Sequence, residues 1–119
     1  MSSSNADLFL FNQNAVRIAR IETAFSMRAR MKGLLGRSAL PEGTGMYIRP
    51  CSSIHTFAMH FTIDVVFVNT DLRVVTIQRR LSPNRMLLGG KGARGVIEFQ
   101  SGWLAEDALQ VGECVSLNP

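Results

Sequence analysis

Apolar residues along this chain either alternate with polar ones or run together in short stretches, and both patterns mark strands more often than helices. Val16-Arg17-Ile18-Ala19-Arg20-Ile21-Glu22 alternates imperfectly. Its β-branched residues, and the Asn12-Gln13-Asn14 turn before it, predict a strand. Leu8 to Phe11 is a short apolar run ahead of that turn. Met46-Tyr47-Ile48-Arg49 reads as a strand halted by Pro50, and Ile54 to Phe57 as another short one. Ile63-Asp64-Val65-Val66-Phe67-Val68 is almost wholly apolar and β-branched, the pattern of a strand buried on both faces. Leu72 to Ile77 follows Asn69-Thr70-Asp71, which predicts a hairpin. That turn has no glycine, so Asn69 or Asp71 is expected to take any positive φ. Val96 to Gln100 and Cys114 to Leu117 complete the strands.

Two stretches read as helical. In Ser26 to Leu35, the residues Met27, Met31, Leu34 and Leu35 make one apolar stripe, with Ser26 as N-cap and Gly36 beyond the end. Arg28, Arg30 and Lys32 face away from that stripe, as a solvated basic face would. Ser101 to Leu109 is the second, carrying Trp103 and Leu104. Gln78 to Gly95, with four glycines, is expected to be the longest loop. Strands follow one another without a helix between each pair, which disfavours a parallel α/β sheet. The fold expected is mainly β: an antiparallel β-sandwich or partly closed barrel with two short helices. Residues 15–119 form its single domain, behind an N-terminal extension, 1–14, in which Ser4-Asn5-Ala6 matches a tag-cleavage scar.

Composition narrows the classes. Of 119 residues, 46% are hydrophobic and 18% charged, an ordinary globular balance that argues against disorder. The net charge of +4 comes from eleven arginines and two lysines against nine acids. The arginines are spread along the chain without a nucleic-acid-binding motif, so a nucleic-acid partner is disfavoured. No apolar run approaches the ~18 residues of a membrane span. The first residues lack a basic stretch followed by an apolar one, so no signal peptide is expected. Cys51 and Cys114 suit neither a disulfide scaffold nor a zinc ribbon, and a cytoplasmic location is expected.

Candidate chemistry concentrates between Pro50 and Asn69, which holds both histidines. Cys51, His55, His60 and Asp64 are all metal-ligand types, but no CxxC or HExxH spacing accompanies them. No metal site is expected; a polar network fixing strand register is. A Cys51–His55 nucleophile–base pair would require a depressed thiol pKa. Leu88-Gly89-Gly90-Lys91-Gly92 fails the P-loop pattern and reads as a flexible loop. Phe57, Phe61, Phe67, Phe99 and Trp103 are expected in the core.

Several pieces together carry a resemblance. They are Arg30-Met31-Lys32-Gly33-Leu34-Leu35-Gly36-Arg37, Gly45-Met46-Tyr47-Ile48, and Pro50 through Met59. Ile63 through Val68, Val96-Ile97-Glu98-Phe99, Ser101-Gly102-Trp103 and Gly112-Glu113 follow in order. Over about residues 15 to 117 the chain resembles the bacterial and archaeal family known as domain of unknown function 192. The resemblance implies a compact, mainly β domain with an early helix, and it does not imply an activity. The chain departs from many members at Thr70-Asp71-Leu72, where they carry a hairpin glycine, and at Pro83-Asn84-Arg85, where they carry Trp-Arg.

The functional expectation is a small binding domain whose polar pocket for a small ligand or anion is built from His55, Asp64, Glu98 and Arg85. The pocket would open toward the Arg79–Arg94 loop. One alternative is a metal- or Cys/His-dependent enzyme on the same residues. Another is a protein-interaction module using the basic helix face at Arg28–Lys32. The sequence names no catalytic residue, cofactor or specific partner.

Overall fold

In the computed structural model of the protein, residues 7–25, 30 and 37–119 are described. Among them run nine strands: β1 (Leu8–Phe11), β2 (Arg17–Ala24), β3 (Thr44–Ile48), β4 (Ser53–His55), β5 (Ile63–Val68), β6 (Val74–Leu81), β7 (Met86–Leu88), β8 (Gly95–Gln100) and β9 (Ser116–Asn118). Seven form one sheet in the order β6-β5-β8-β3-β2-β1-β9, while β4 and β7 pair as a separate antiparallel ribbon. Every neighbouring pair in the large sheet is antiparallel except β2–β3, which runs parallel from Arg20↔Thr44 to Ala24↔Ile48. A parallel pair needs a crossover connection. Here it is the stretch 25–43.

The two ends of the sheet approach one another. Val74 N–H donates to the Glu113 carbonyl and Gly112 N–H to the Val74 carbonyl, both at 2.8 Å, and Arg73 bridges Cys114. The start of β6 thus meets the segment leading into β9. The result is a partly closed barrel, one of the two architectures expected, and a largely antiparallel one.

Strand alternation then sorts the core into two clusters. Leu10, Ile21, Val66, Val68, Ile97 and Phe99 fill the concave side. Ile48, Ile54, Phe61, Ile63, Val65, Phe67 and Val96 lie on the outer side, beneath the β4–β7 ribbon. β5 is buried at all six positions, as its apolar run predicts.

Several local expectations differ from the structure. Ser101–Leu109 is a series of turns rather than a helix. The Arg79 guanidinium takes the Leu104 and Ala105 carbonyls, and Asp64 takes the Gly102 N–H, so groups a helix would use are engaged elsewhere. The helix expected over Ser26–Leu35 lies outside the described residues apart from Arg30, which is helical. The expected loop from Gln78 to Gly95 contains the end of β6 and all of β7. In the β5–β6 hairpin, Asn69 Oδ1 accepts from the N–H groups of Asp71 and Arg73 at 2.9 Å. The positive φ falls on Leu72, at 61°, and not on Asn69 or Asp71. Leu8–Phe11, inside the expected extension, is a strand paired on both sides. Phe57, expected in the core, is 45% exposed, because it sits beyond the end of β4 and stacks on His55. Among the described residues no helix is long and apolar enough to cross a membrane.

Within the Leu88–Gly92 stretch Gly89 is buried and tightly packed, while Gly90, Lys91 and Gly92 are exposed. Thr76 Oγ1 donates to the Gly89 carbonyl at 2.7 Å. A β-carbon on Gly89 would overlap the Phe67 ring and stand 2.7 Å from Ala93 Cβ. Gly89→Ala is therefore expected to cost about 1–3 kcal/mol by overpacking, read from urea denaturation. A loss under about 0.5 kcal/mol would show the stretch yielding instead.

Candidate functional site

The residues expected to form one pocket are divided between the two faces of the sheet. On β8, Glu98 shares a face with Val96, toward the outer cluster, and pairs across from Val65. On β5, Asp64 shares a face with Val66 and Val68, toward the concave side. The two carboxylates therefore point to opposite sides of the sheet.

Glu98 is fully buried and meets Arg30, itself 0% exposed. Arg30 Nε donates to Glu98 Oε1 at 2.8 Å, and its Nη2 to Oε2 at 2.6 Å, a two-pronged ion pair. Arg30 Nη1 also donates to the His55 carbonyl at 2.9 Å, which ties the pair to the ribbon. Burial pushes the Glu98 carboxyl above its ordinary value, and Arg30 pulls it back. Arg30 does not belong to a solvated basic face; Arg28 and Lys32 lie outside the described residues. The His55 ring stacks on Phe57 at 4.9 Å and accepts the Phe57 N–H at Nδ1. Arg85 sits on the same side, its backbone N–H and carbonyl joined to Thr56 and its exposed side chain donating to Ser82. His55, Glu98 and Arg85 thus share the outer side, with Glu98 enclosed and Arg85 at the surface.

Asp64 has a different task. Its Oδ1 accepts the Arg80 N–H at 2.9 Å, its Oδ2 accepts the Gly102 N–H at 3.2 Å, and Arg79 lies 3.6 Å away. Ile63 pairs with Leu81 while Val65 pairs with Gln78, so β6 bulges there, and Arg80 has a φ of 58°. Asp64 holds this bulge and the turns that follow β8.

The chemistry of the cysteine stretch also dissolves. Burial raises the Cys51 thiol above its ordinary value, the reverse of what an activated nucleophile needs. Its Sγ donates to the Ser53 carbonyl at 3.0 Å, and the two cysteines are not joined in a disulfide. Among the described residues no three His, Cys, Asp or Glu side chains converge as metal ligands.

An unforeseen concavity lies at one end of the barrel. Arg49 follows β3 and Arg94 precedes β8, and these strands are antiparallel neighbours, Ile48 pairing with Val96. Both arginines line an open cleft of about 460 Å³ with Phe25, Tyr47, Pro50, Asn69 and Thr70. The Arg49 guanidinium lies 5.7 Å from the centre of the Phe25 ring and 5.9 Å from that of Tyr47. Burial raises the Tyr47 phenol while Arg49, hydrogen-bonded to it, lowers it. A β-carbon on Gly95 would stand 2.8 Å from Tyr47 Cε1, so the glycine leaves that ring its place. Arg94 is fixed through its backbone, donating to the Val68 carbonyl and accepting from the Cys51 N–H at 2.8 Å each. Among the described residues neither arginine forms an ion pair with a carboxylate. The sequence signal was present but indirect: the two arginines flank strands whose pairing brings them together.

Comparison with known proteins agrees with the fold. A protein of unknown function from Novosphingobium aromaticivorans superposes with a TM-score of 0.76 at 23% identity, over 93% of this chain and 84% of that one. A Sinorhizobium meliloti protein, provisionally described as a transcription regulator, does so with a TM-score of 0.77 at 16% identity, over 92% and 91%. At these identities the likeness concerns the fold alone. No curated protein matches. The model of the family DUF192, described as uncharacterized ACR, matches residues 9–117, and the chain belongs to that family.

Proposed function

We propose that this is a binding domain for a small anion, and that the anion seats in the Arg49–Arg94 cleft rather than among His55, Asp64 and Glu98. The observation that carries this is the pair of arginines on one cleft wall with no carboxylate partner among the described residues. A guanidinium offers a planar fork of donors suited to carboxylate or phosphate oxygens. Arg49 already rests against two rings, so less of its freedom is lost when it engages a ligand. Asn69 and Thr70 add polar groups at the rim. Glu98 and Asp64 support the frame: one locks Arg30 and the ribbon, the other holds the β6 bulge. A cytoplasmic setting suits two cysteines that are not joined in a disulfide.

The test is titration of the protein with inorganic phosphate, acetate and benzoate, followed by calorimetry and amide chemical shifts. Saturable binding is expected, with shifts centred on residues 47–50, 69–70 and 94. Arg49→Ala and Arg94→Ala are each expected to weaken it about ten- to a hundredfold while the circular dichroism spectrum is kept. Binding indifferent to both substitutions would refute the assignment, as would no binding of any of the three anions.

A further inference from the structure

We infer that the anion held by this cleft is amphiphilic: a single-chain carboxylate or phosphate monoester, free in solution, whose apolar chain enters a second cavity at the barrel mouth. This deepens the anion-binding assignment above and rests on it.

The second cavity, about 350 Å³, is lined by Leu8, Thr23, Tyr47, Arg49, Thr70, Leu72 and Leu117. Tyr47, Arg49 and Thr70 also line the arginine cleft, so the two concavities meet across one shared wall. Both walls are largely apolar, and they differ in the side chains they add. One holds both arginines, and the other gathers three leucines, from β1, the β5–β6 turn and β9. The leucines are half-buried and packed against the concave core, so each presents its remaining apolar surface to the cavity. Among the described residues that line the second cavity Arg49 alone is charged, and it stands on the shared wall. A ligand with its charge at the arginines and its chain among the leucines satisfies both; a bare anion leaves the apolar half facing water.

The backbone adds a second observation. Leu72 lies at a φ of 61°, a conformation that glycine adopts without strain and leucine does not. The hairpin turn, in which Leu72 N–H donates to the Asn69 carbonyl at 3.1 Å, holds this conformation and sets the leucine on the wall of the cavity.

The experiment is a chain-length series, sodium acetate, butyrate, hexanoate and octanoate, each titrated below its micelle concentration and read by calorimetry. Affinity is expected to rise up to about fourfold for each methylene that leaves water, and to level once the cavity is full. Thr23→Trp, at an exposed β2 position on the cavity wall, is expected to reduce the affinity for octanoate to that for acetate. Should that variant not fold, Leu72→Gly removes a leucine without backbone strain and is expected to flatten the series. Equal affinity for acetate and octanoate, or a series unchanged by either substitution, would overturn the amphiphile while leaving the anion site standing. Failure of every carboxylate and of phosphate to bind would overturn both.

Discussion

Replacing Arg30 by methionine is expected to lower the unfolding free energy by about 3–5 kcal/mol. The reason lies in what remains. Glu98 is 0% exposed, and without the guanidinium its carboxylate has lost the donors to both oxygens in a site closed to water. Glu98→Met is expected to cost a similar amount, because it strands a buried cation against the His55 carbonyl and Met59 Sδ. The double variant is the informative one. An apolar pair of similar volume removes both charges together, so Arg30→Met/Glu98→Met is expected to recover most of the loss. Urea denaturation of the four proteins, followed by circular dichroism, gives the coupling energy. A double variant as unstable as the sum of the singles would mean that the two groups act independently, and the ion pair would then not be the fastening described here.

Asp64→Ala is expected to cost about 1–3 kcal/mol, since it leaves the Arg80 and Gly102 N–H groups without their acceptor in a part-buried setting. It also releases Arg79, which spans Asp64 and the Leu104 and Ala105 carbonyls. Hydrogen exchange is expected to quicken over residues 79–81 and 101–109 and to change little in β2 and β3. Asp64→Asn, which keeps one accepting oxygen, is expected to lose about half as much. A cost below about 0.5 kcal/mol would remove Asp64 from the frame and return it to the candidates for ligand contact.

These two carboxylates mark the boundary of what the sequence made legible. Strand β5 was readable because burial on both faces leaves a nearly unbroken β-branched run, and Ile63–Val68 has one. The same run carried Asp64, and its period of two already placed Asp64 and Val65 on opposite faces. What was missing was the register against β8. Only the pairing of Val65 with Glu98 reveals that the two acids point apart. Arg30 was misread for a related reason: a helical wheel sorts residues by their own segment's stripe, and Arg30 finds its partner 68 positions away.

The polar end of β6 was unreadable because Gln78-Arg79-Arg80 resembles a loop until the groups that satisfy it are known. They come from Asp64 and from the turns after β8, which in turn explains why Ser101–Leu109 does not coil. The turn at Leu72 ran against the preference for glycine or asparagine at positive φ, and no local pattern signals such an exception. The arginine cleft failed to appear for the simplest reason. Arg49 and Arg94 are neighbours only once β3 lies beside β8, so strand order, more than composition, decides where two arginines without a carboxylate partner among the described residues come together.

The position of β9 has a consequence for synthesis on the ribosome. β1 pairs with β9 from Phe9↔Asn118 to Phe11↔Ser116, so β1 emerges more than a hundred residues before the strand that covers its edge. Until then the Leu-Phe-Leu-Phe strand displays unpaired N–H and C=O groups beside apolar side chains, the kind of edge that recruits other chains. The nascent protein thus keeps an aggregation-prone edge until β9 arrives, and proteolytic clipping ahead of Ser116 would recreate that hazard in the folded molecule.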